Sequence, residues 1–320
     1  MERSRTARNG GNGPSAPRLA SAPVTWGVWE RTVGRPDLIP PVRMLETVQE
    51  LGYAGLELGP PGYLGANGAA VATAIAPYGL DLVGGFAPLH FADDELFRLD
   101  IPVWLDPIVD VLEATGLRGP VVLADAETEE RLAAAGRPEA QRATALPPDV
   151  LARAAERVNL AVERCRSRGV EAVFHHHAAT YFETPGEIET LLTLTDVGVC
   201  FDTGHAVVGG SDPLELARLL GGRIAHVHLK DVDGDLLREV REGRLDLEQA
   251  WDDGLFCSFG DGLVDFEAVL ALPELTAFSG WTVLEQDRVA VRLADLERVR
   301  AIEQANLAFV VDRLAAPTSS

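Results

Sequence analysis

Ile224-Ala225-His226-Val227-His228-Leu229-Lys230-Asp231 reads as an apolar strand that ends in metal-ligating and ionisable side chains. Other segments share this form. Glu171-Ala172-Val173-Phe174 runs into His175-His176-His177, and Val197-Gly198-Val199-Cys200-Phe201-Asp202 runs into Thr203-Gly204-His205. Trp281-Thr282-Val283-Leu284 runs into Glu285. Chemistry placed at one end of successive strands converges on a single rim only if the strands are parallel and close into a barrel.

Eight strand candidates can be marked: 24–29, 54–59, 80–86, 120–124, 171–177, 197–202, 224–230 and 280–285. Helical patterns lie between them, at 38–51, 103–115, 148–168, 185–193, 213–220 and 293–314. Thr184-Pro185 and Asp212-Pro213 each put a capping side chain before a proline at the first helical position. Gly52, Gly116, Gly169 and Gly221 stand where helices should stop. Strand-helix alternation implies a parallel sheet with right-handed crossovers. The fold class is therefore α/β, and eight units predict a (β/α)8 TIM barrel. A doubly wound open sheet is the alternative, but no Gly-rich phosphate turn follows the first strand candidate.

The chain is long enough, at 320 residues, for one large α/β domain. We expect a disordered N-terminal tail at 1–22, rich in Gly, Ser, Arg and Pro, then a single barrel over 23–315. A long rim loop at 232–264 reads as a lid, the alternative being a plain surface insertion. With 28 Lys and Arg against 49 Asp and Glu, the net charge is −21. That field repels nucleic acid and anionic membranes. The 3 cysteines are far apart and form no metal knuckle or disulfide framework. No apolar run reaches membrane-span length. A cytoplasmic protein without nucleic-acid or membrane partners is expected, and homo-oligomer formation is left open.

Side chains alternate along a strand, so His226, His228 and Lys230 share one face, as do His175 and His177, with His176 opposite. Polar groups on an inward strand face are costly without partners. They read as a metal or catalytic site, the bland alternative being a buried hydrogen-bond network. Asp202 at a strand end is ordinarily a helix cap, but the next expected helix starts only near Pro213. Glu285, and Glu57 in Leu56-Glu57-Leu58, are glutamates in strand-like sequence that call for partners. Carboxylates mixed with imidazoles suit Mn, Co, Fe or Zn better than calcium.

These phrases resemble the xylose-isomerase-like barrel superfamily of sugar isomerases, epimerases and lyases. Within it, His175-His176-His177, Asp202-Thr203-Gly204-His205 and His226 to Asp231 are most similar to the inosose dehydratase branch. Gly260-Asp261-Gly262, Val264-Asp265-Phe266 and Gly280-Trp281 before Glu285 follow the same pattern. The resemblance spans about residues 24–312 and is strongest in the second half.

The resemblance implies metal ligands at Asp202, His228 and Glu285, with His175 where the epimerases place glutamate. It implies a divalent cofactor, Mn2+ or Co2+ ahead of Zn2+ or Fe2+. Losing one glutamate removes one base of a two-base epimerisation. The expected activity is accordingly a metal-dependent carbon-oxygen lyase that dehydrates a cyclic keto-polyol. The alternative is an isomerase or epimerase of a ketose or keto-sugar derivative. Glu285 is the expected base, with Lys230 or His177 the acid. Glu57, His176, His205 and His226 are expected to contact a small polyol or keto-sugar substrate. DNA-repair endonucleases share the barrel but use a basic groove, which the net charge opposes. A non-catalytic sugar sensor is the remaining alternative.

Overall fold

The computed structural model describes residues 18–116, 119–289 and 291–315. Its main sheet is built from β1 (Arg18–Ser21), β2 (Gly55–Leu56), β3 (Asp81–Leu82), β4 (Gly85–Leu89), β5 (Val121–Asp125), β6 (Ala172–His175), β7 (Gly198–Asp202) and β8 (Ile224–Leu229), with β11 (Trp281–Leu284) last. The order is β3-β2-β1-β11-β8-β7-β6-β5-β4, every pairing parallel. β3 and β4 are two pieces of one barrel strand, interrupted at Val83–Gly84. The first piece pairs with β2 and the second with β5, and so the sheet closes. Eight barrel strands result, as expected from the alternating pattern.

The interruption is a place of very close backbone approach. Val83 donates its N–H to the Leu56 carbonyl at 3.0 Å, and Leu58 donates to the Gly84 carbonyl at 2.8 Å. A Cβ on Gly119 would lie 2.2 Å from the Val83 carbonyl carbon, which only glycine avoids. The expected strand at 80–86 thus covers the whole first piece, the break and the start of the second.

The first strand departs from expectation. Pro23–Trp26 is a 3-10 turn, and the strand is Arg18–Ser21 instead. Pro23 has no N–H to give to a ladder, so the chain turns there. β1 is paired on both edges, Leu19 facing Thr282 on β11 and Ala20 facing Gly55 on β2. Residues 18–22, expected in the tail, therefore belong to the barrel. The rest of that expected tail, 1–17, lies outside the described residues.

Helix ends follow the capping chemistry. Pro185–Leu194 begins at Thr184, whose N–H donates to the Glu187 carboxylate at 3.0 Å. Pro213–Leu220 begins at Asp212, whose carboxylate accepts the Leu214 N–H at 2.7 Å. Among the described residues, no helix is long and apolar enough to cross a membrane.

Two layers of apolar side chains fill the structure. The larger lies between sheet and helices and includes Phe91, Phe174, Phe201 and Leu229. Inside the barrel are smaller groups, Ala20, Val83 and Val283 on one side and Val122, Val173 and Cys200 on another. Strand alternation then places His175, Asp202, His228 and Glu285 on the same inward face, one step closer to the carboxyl ends.

The rim segment after β8 has structure of its own. β9 (Asp231–Val232) and β10 (Phe256–Cys257) form an antiparallel pair, with helices Gly234–Arg241 and Leu247–Asp252 between them. Asp231 ties the segment down. Its carboxylate accepts N–H groups from Val232, Gly260, Gly262 and Val264 at 2.8–3.0 Å. Arg31, in the loop after β1, pairs with Glu127 at 3.1 Å and with Glu248 on the segment.

Deleting residues 1–22 removes β1 and with it the ladders to β2 and β11. The truncated chain should lose its cooperative thermal transition in circular dichroism. A wild-type melting curve from that variant would contradict the role assigned to β1.

Candidate metal centre

Strand register builds the centre. Asp202 on β7 stands opposite His228 on β8, and Val283, two residues before Glu285, stands opposite His228 from the other side. His228 Nδ1 is 3.0 Å from Glu285 Oε2 and 3.6 Å from Asp202 Oδ2. His175 Nε2 is 3.4 Å from Asp202 Oδ2. Ligand-capable atoms of Asp202, His228 and Glu285 all lie within 4.8 Å of one another. The four residues expected as ligands are thus neighbours, and all are buried.

Asp202 Oδ2 and His228 Nδ1 make no hydrogen bond among the described residues, although charged groups stand close by. Buried polar atoms ordinarily find a partner. A buried carboxylate oxygen and imidazole nitrogen without a hydrogen-bond partner, converging from adjacent strands among charged neighbours, fit a divalent cation. Asp202 Oδ1 is occupied differently. It accepts the His205 N–H at 2.8 Å and caps the short helix Thr203–Val208. The helix-cap reading and the ligand reading of Asp202 therefore describe its two oxygens separately.

Lys230 sits among three carboxylates, with Nζ 2.9 Å from Glu285, 3.1 Å from Asp202 and 3.3 Å from Asp287. Burial opposes its charge, but Asp202, Asp287 and Glu285 outweigh that and hold it well above the usual lysine pKa. Burial likewise works against ionised Asp202, and Lys230 and His205 reverse it and keep that carboxyl well below its usual range. For Glu285 the same opposition from burial is overcome by His228 and Lys230. Lys230, Asp202 and Glu285 form a balance of charges, each held ionised by its neighbours.

The histidines sort into two groups. His175 and His177 line a cavity of about 280 Å3 together with Glu57, His228, Lys230 and Glu285. His176, His205 and His226 do not reach that wall, contrary to their expected substrate contact. His176 faces the other way, as strand alternation requires, and its Nε2 accepts the Asp202 N–H at 3.2 Å. His205 sits on the helix after β7, where its Nδ1 accepts the Ala178 N–H at 3.2 Å and its ring packs 3.9 Å from that of His177. His226 is one layer deeper on β8 and meets Glu57 at 2.8 Å. Burial lowers the pKa of His177 and His205 well below the usual value, and that of His176 to about 3.

Sequence reasoning missed several residues of the cavity. Asp287 is the clearest. It follows Glu285 by two, so alternation alone could have placed it on the same face. Its Oδ2 is 3.7 Å from His205 Nε2, and burial pushes its pKa up to about 7. Asp125, at the end of β5, is raised to about 7 for the same reason. Trp29, Phe86, Trp104 and Trp251 supply aromatic walls. Trp251 comes from the rim segment, so this segment does border the cavity, as a lid would. Trp104 is carried on a π-helical turn, Ile101–Leu105, which a reading based on regular helical period cannot anticipate.

Residues 45–305 match the family model described as a xylose isomerase-like TIM barrel, and the chain belongs to that family. The rhizopine catabolism protein MocC of Rhizobium meliloti is 34% identical over 279 residues, which cover 85% of this chain and 82% of that one. An inosose dehydratase of Geobacillus kaustophilus is 30% identical over 280 residues, covering 85% and 87%. With such relatives the chain is an enzyme of the sugar isomerase, epimerase and dehydratase type. Among solved structures, the IolI protein with a bound zinc atom aligns with a TM-score of 0.69 at 16% identity, over 93% of this chain and 99% of that one. An L-ribulose 3-epimerase gives 0.65 at 15% identity, over 95% and 100%. At those identities the likeness concerns the fold.

Asp287 offers a test of the electrostatics. Its carboxyl binds a proton in the folded chain up to about pH 7, whereas the unfolded carboxyl releases it near pH 3.8. The folded state holds more protons in that window, so this group makes stability fall as pH rises through it. Asp287→Asn should flatten the decline of melting temperature with pH over that window in metal-free protein. Parallel curves for wild type and variant would show that Asp287 is not protonated there.

Proposed function

We propose that this enzyme is a metal-dependent carbon-oxygen lyase that dehydrates a cyclic keto-polyol of the inosose type. The observation that carries the reading is a base and an acid side by side. Glu285 Oε2 and Lys230 Nζ are 2.9 Å apart on the cavity wall. Elimination of water needs a group to take the proton next to the carbonyl and another to protonate the departing hydroxyl. A pair this close serves both from one face of a ring. Inosose dehydratase among the relatives supports the same chemistry.

His175, Asp202, His228 and Glu285 would hold the metal. A divalent ion there supplies Lewis acidity toward the carbonyl and adjacent hydroxyl oxygens of the substrate. The mixed imidazole and carboxylate set suits Mn2+, Co2+, Zn2+ or Fe2+, and the zinc bound by the IolI protein is in keeping with that class. Glu285 removes the α-proton, and the C–H electron pair moves into the ketone to leave an enolate. As that enolate collapses, its electrons form the new carbon–carbon double bond, the β carbon–oxygen bond breaks, and the Lys230 proton goes to the leaving hydroxyl to form water. The net charge of the Glu285 and Lys230 pair is unchanged after the double transfer, which suits a buried site.

His177 fits a different role from the acid expected of it. Its Nδ1 is 2.9 Å from the Ala178 carbonyl, which can only accept, so Nδ1 carries the proton and Nε2 is left as an acceptor. It would bind a substrate hydroxyl by accepting from it. The aromatic walls at Trp29, Phe86, Trp104 and Trp251 would pack against the C–H faces of a carbocycle.

The alternative is an epimerase, which needs a second base across the ring. His175 stands at the position where a glutamate would serve. The two reactions differ in mass, because only dehydration yields a product one water lighter than the inosose supplied. A product of unchanged mass but altered configuration would replace the lyase reading with the alternative.

Three substitutions test the roles. Asp202→Asn should weaken metal binding in a calorimetric titration while the far-ultraviolet circular dichroism stays native. Glu285→Gln should lower kcat by about 10²–10⁴, a larger loss than its loss of metal affinity, since the amide keeps an oxygen ligand but accepts no proton. Lys230→Met should still exchange the substrate α-proton in deuterated solvent while releasing no water. Full turnover by Lys230→Met would remove it from the mechanism.

A further inference from the structure

Glu57 lies on the cavity wall, yet one of its oxygens is turned to protein groups. Oε1 is 2.8 Å from His226 Nε2 and 3.0 Å from His228 Nε2. We propose that Glu57 is a positioning residue for His228, setting which ring nitrogen faces the metal, and that the break in the third barrel strand exists to seat it. The proposal rests on reading Asp202, His228 and Glu285 as metal ligands.

A neutral imidazole carries its proton on one nitrogen and a lone pair on the other. Carboxylate oxygens stand 3.0 Å from both ring nitrogens of His228, Glu57 Oε1 at Nε2 and Glu285 Oε2 at Nδ1. Nδ1 is the nitrogen that also faces Asp202, at 3.6 Å, and so is the one a cation held by Asp202 and Glu285 would take. With the Nδ1 lone pair given to that cation, the remaining ring proton is on Nε2 and is donated to Glu57. A carboxylate behind a ligating histidine orients the ring and increases its basicity.

His226 completes the device. It is two residues from His228 on the same strand face, and the rings meet edge to face with centroids 5.2 Å apart. One carboxylate oxygen can thus accept from both. This assigns a purpose to His226, which is buried off the cavity wall. It holds Glu57 from a second direction, so the carboxylate cannot swing toward the metal or the substrate.

The backbone around Glu57 is shaped to the same end. A Cβ at Gly84 would lie 2.7 Å from Glu57 Oε1 and 3.2 Å from its carboxyl carbon. Gly84 is the residue at which the third strand is interrupted, and its carbonyl accepts the N–H of Leu58, the residue after Glu57. A side chain at position 84 would push the carboxylate out of reach of one imidazole or both.

The test uses the full chain, stripped of metal and titrated with Zn2+ or Mn2+ alone, in wild type, Glu57→Ala, Glu57→Gln and Gly84→Ala. Nitrogen-edited proton spectra of the histidine side chains accompany it. Glu57→Ala should bind metal about 10–100-fold more weakly and lose the exchange-protected Nε2–H signal of His228. Glu57→Gln should fall between, because its amide oxygen still accepts but has no charge. It is isosteric, so it carries the test if the alanine variant does not fold. Gly84→Ala should shift affinity in the same direction. Wild-type affinity in Glu57→Ala, with only the substrate KM raised, would overturn the proposal and make Glu57 a wall contact. Wild-type protein that takes up no metal would instead overturn the metal reading itself, and the Nε2–H signals would show separately whether Glu57 orients the ring.

Discussion

Four carboxylates, Glu57, Asp202, Glu285 and Asp287, are drawn into one side of a barrel where water is scarce, and everything near them is arranged around that cost. An ionised carboxyl moved from water into protein is penalised unless a cation or several donors meet it. Lys230 answers three of them and His228 touches three, with Glu57 shared between two imidazoles. Asp287 alone among the four has its pKa raised, by burial first and then by the charges of Glu285 and Asp202, which Lys230 only partly offsets. A divalent cation would relieve the excess of negative charge that the protein's own cations leave.

Local backbone features serve this arrangement. Asp202 spends one oxygen on capping the helix after β7 and keeps the other for the centre, so its orientation is locked by a hydrogen bond that has no part in chemistry. Asp231, the neighbour of Lys230, points the opposite way and collects N–H groups of the rim segment. Alternation along β8 and into β9 thus divides labour between consecutive residues, His228 and Lys230 facing the cavity and Asp231 holding its cover. The cover is joined to the loop after β1 through Arg31 and Glu248. The rim segment is tied in this way to the loop after the first strand as well as to the last strands.

Much of the site could be read from residues 171–285 because the signals there are local. A polar residue at the carboxyl end of an apolar run, and a spacing of two that fixes its face, are properties of a few neighbouring residues. They sufficed for His175, Asp202, His228, Lys230 and Glu285, and for the inward and outward split of the histidine triplet. They failed where the facing was right but the depth was not. His226 and His228 share a face, yet only His228 reaches the cavity, since the layer that a residue occupies depends on strand tilt and on what lies across the barrel. The first strand failed for another reason. Arg18–Ser21 has a single large apolar residue and is recognisable only through its partners on both edges.

By itself, the sequence determined the barrel rhythm, the end of the barrel at which ionisable side chains gather, and the identity of those that meet there. Strand period and helix caps are short-range effects, and they act the same way wherever the segment is placed. Only the tertiary structure decided that Glu57, 169 residues before His226, binds to it and to His228 rather than to solvent. It also decided that Asp287 joins Lys230, that Trp104 and Trp251 wall the cavity, and that Gly84 makes room for a carboxylate. Those pairings depend on register and on closure of the sheet, and such distances are set by the whole ring of strands rather than by any one of them.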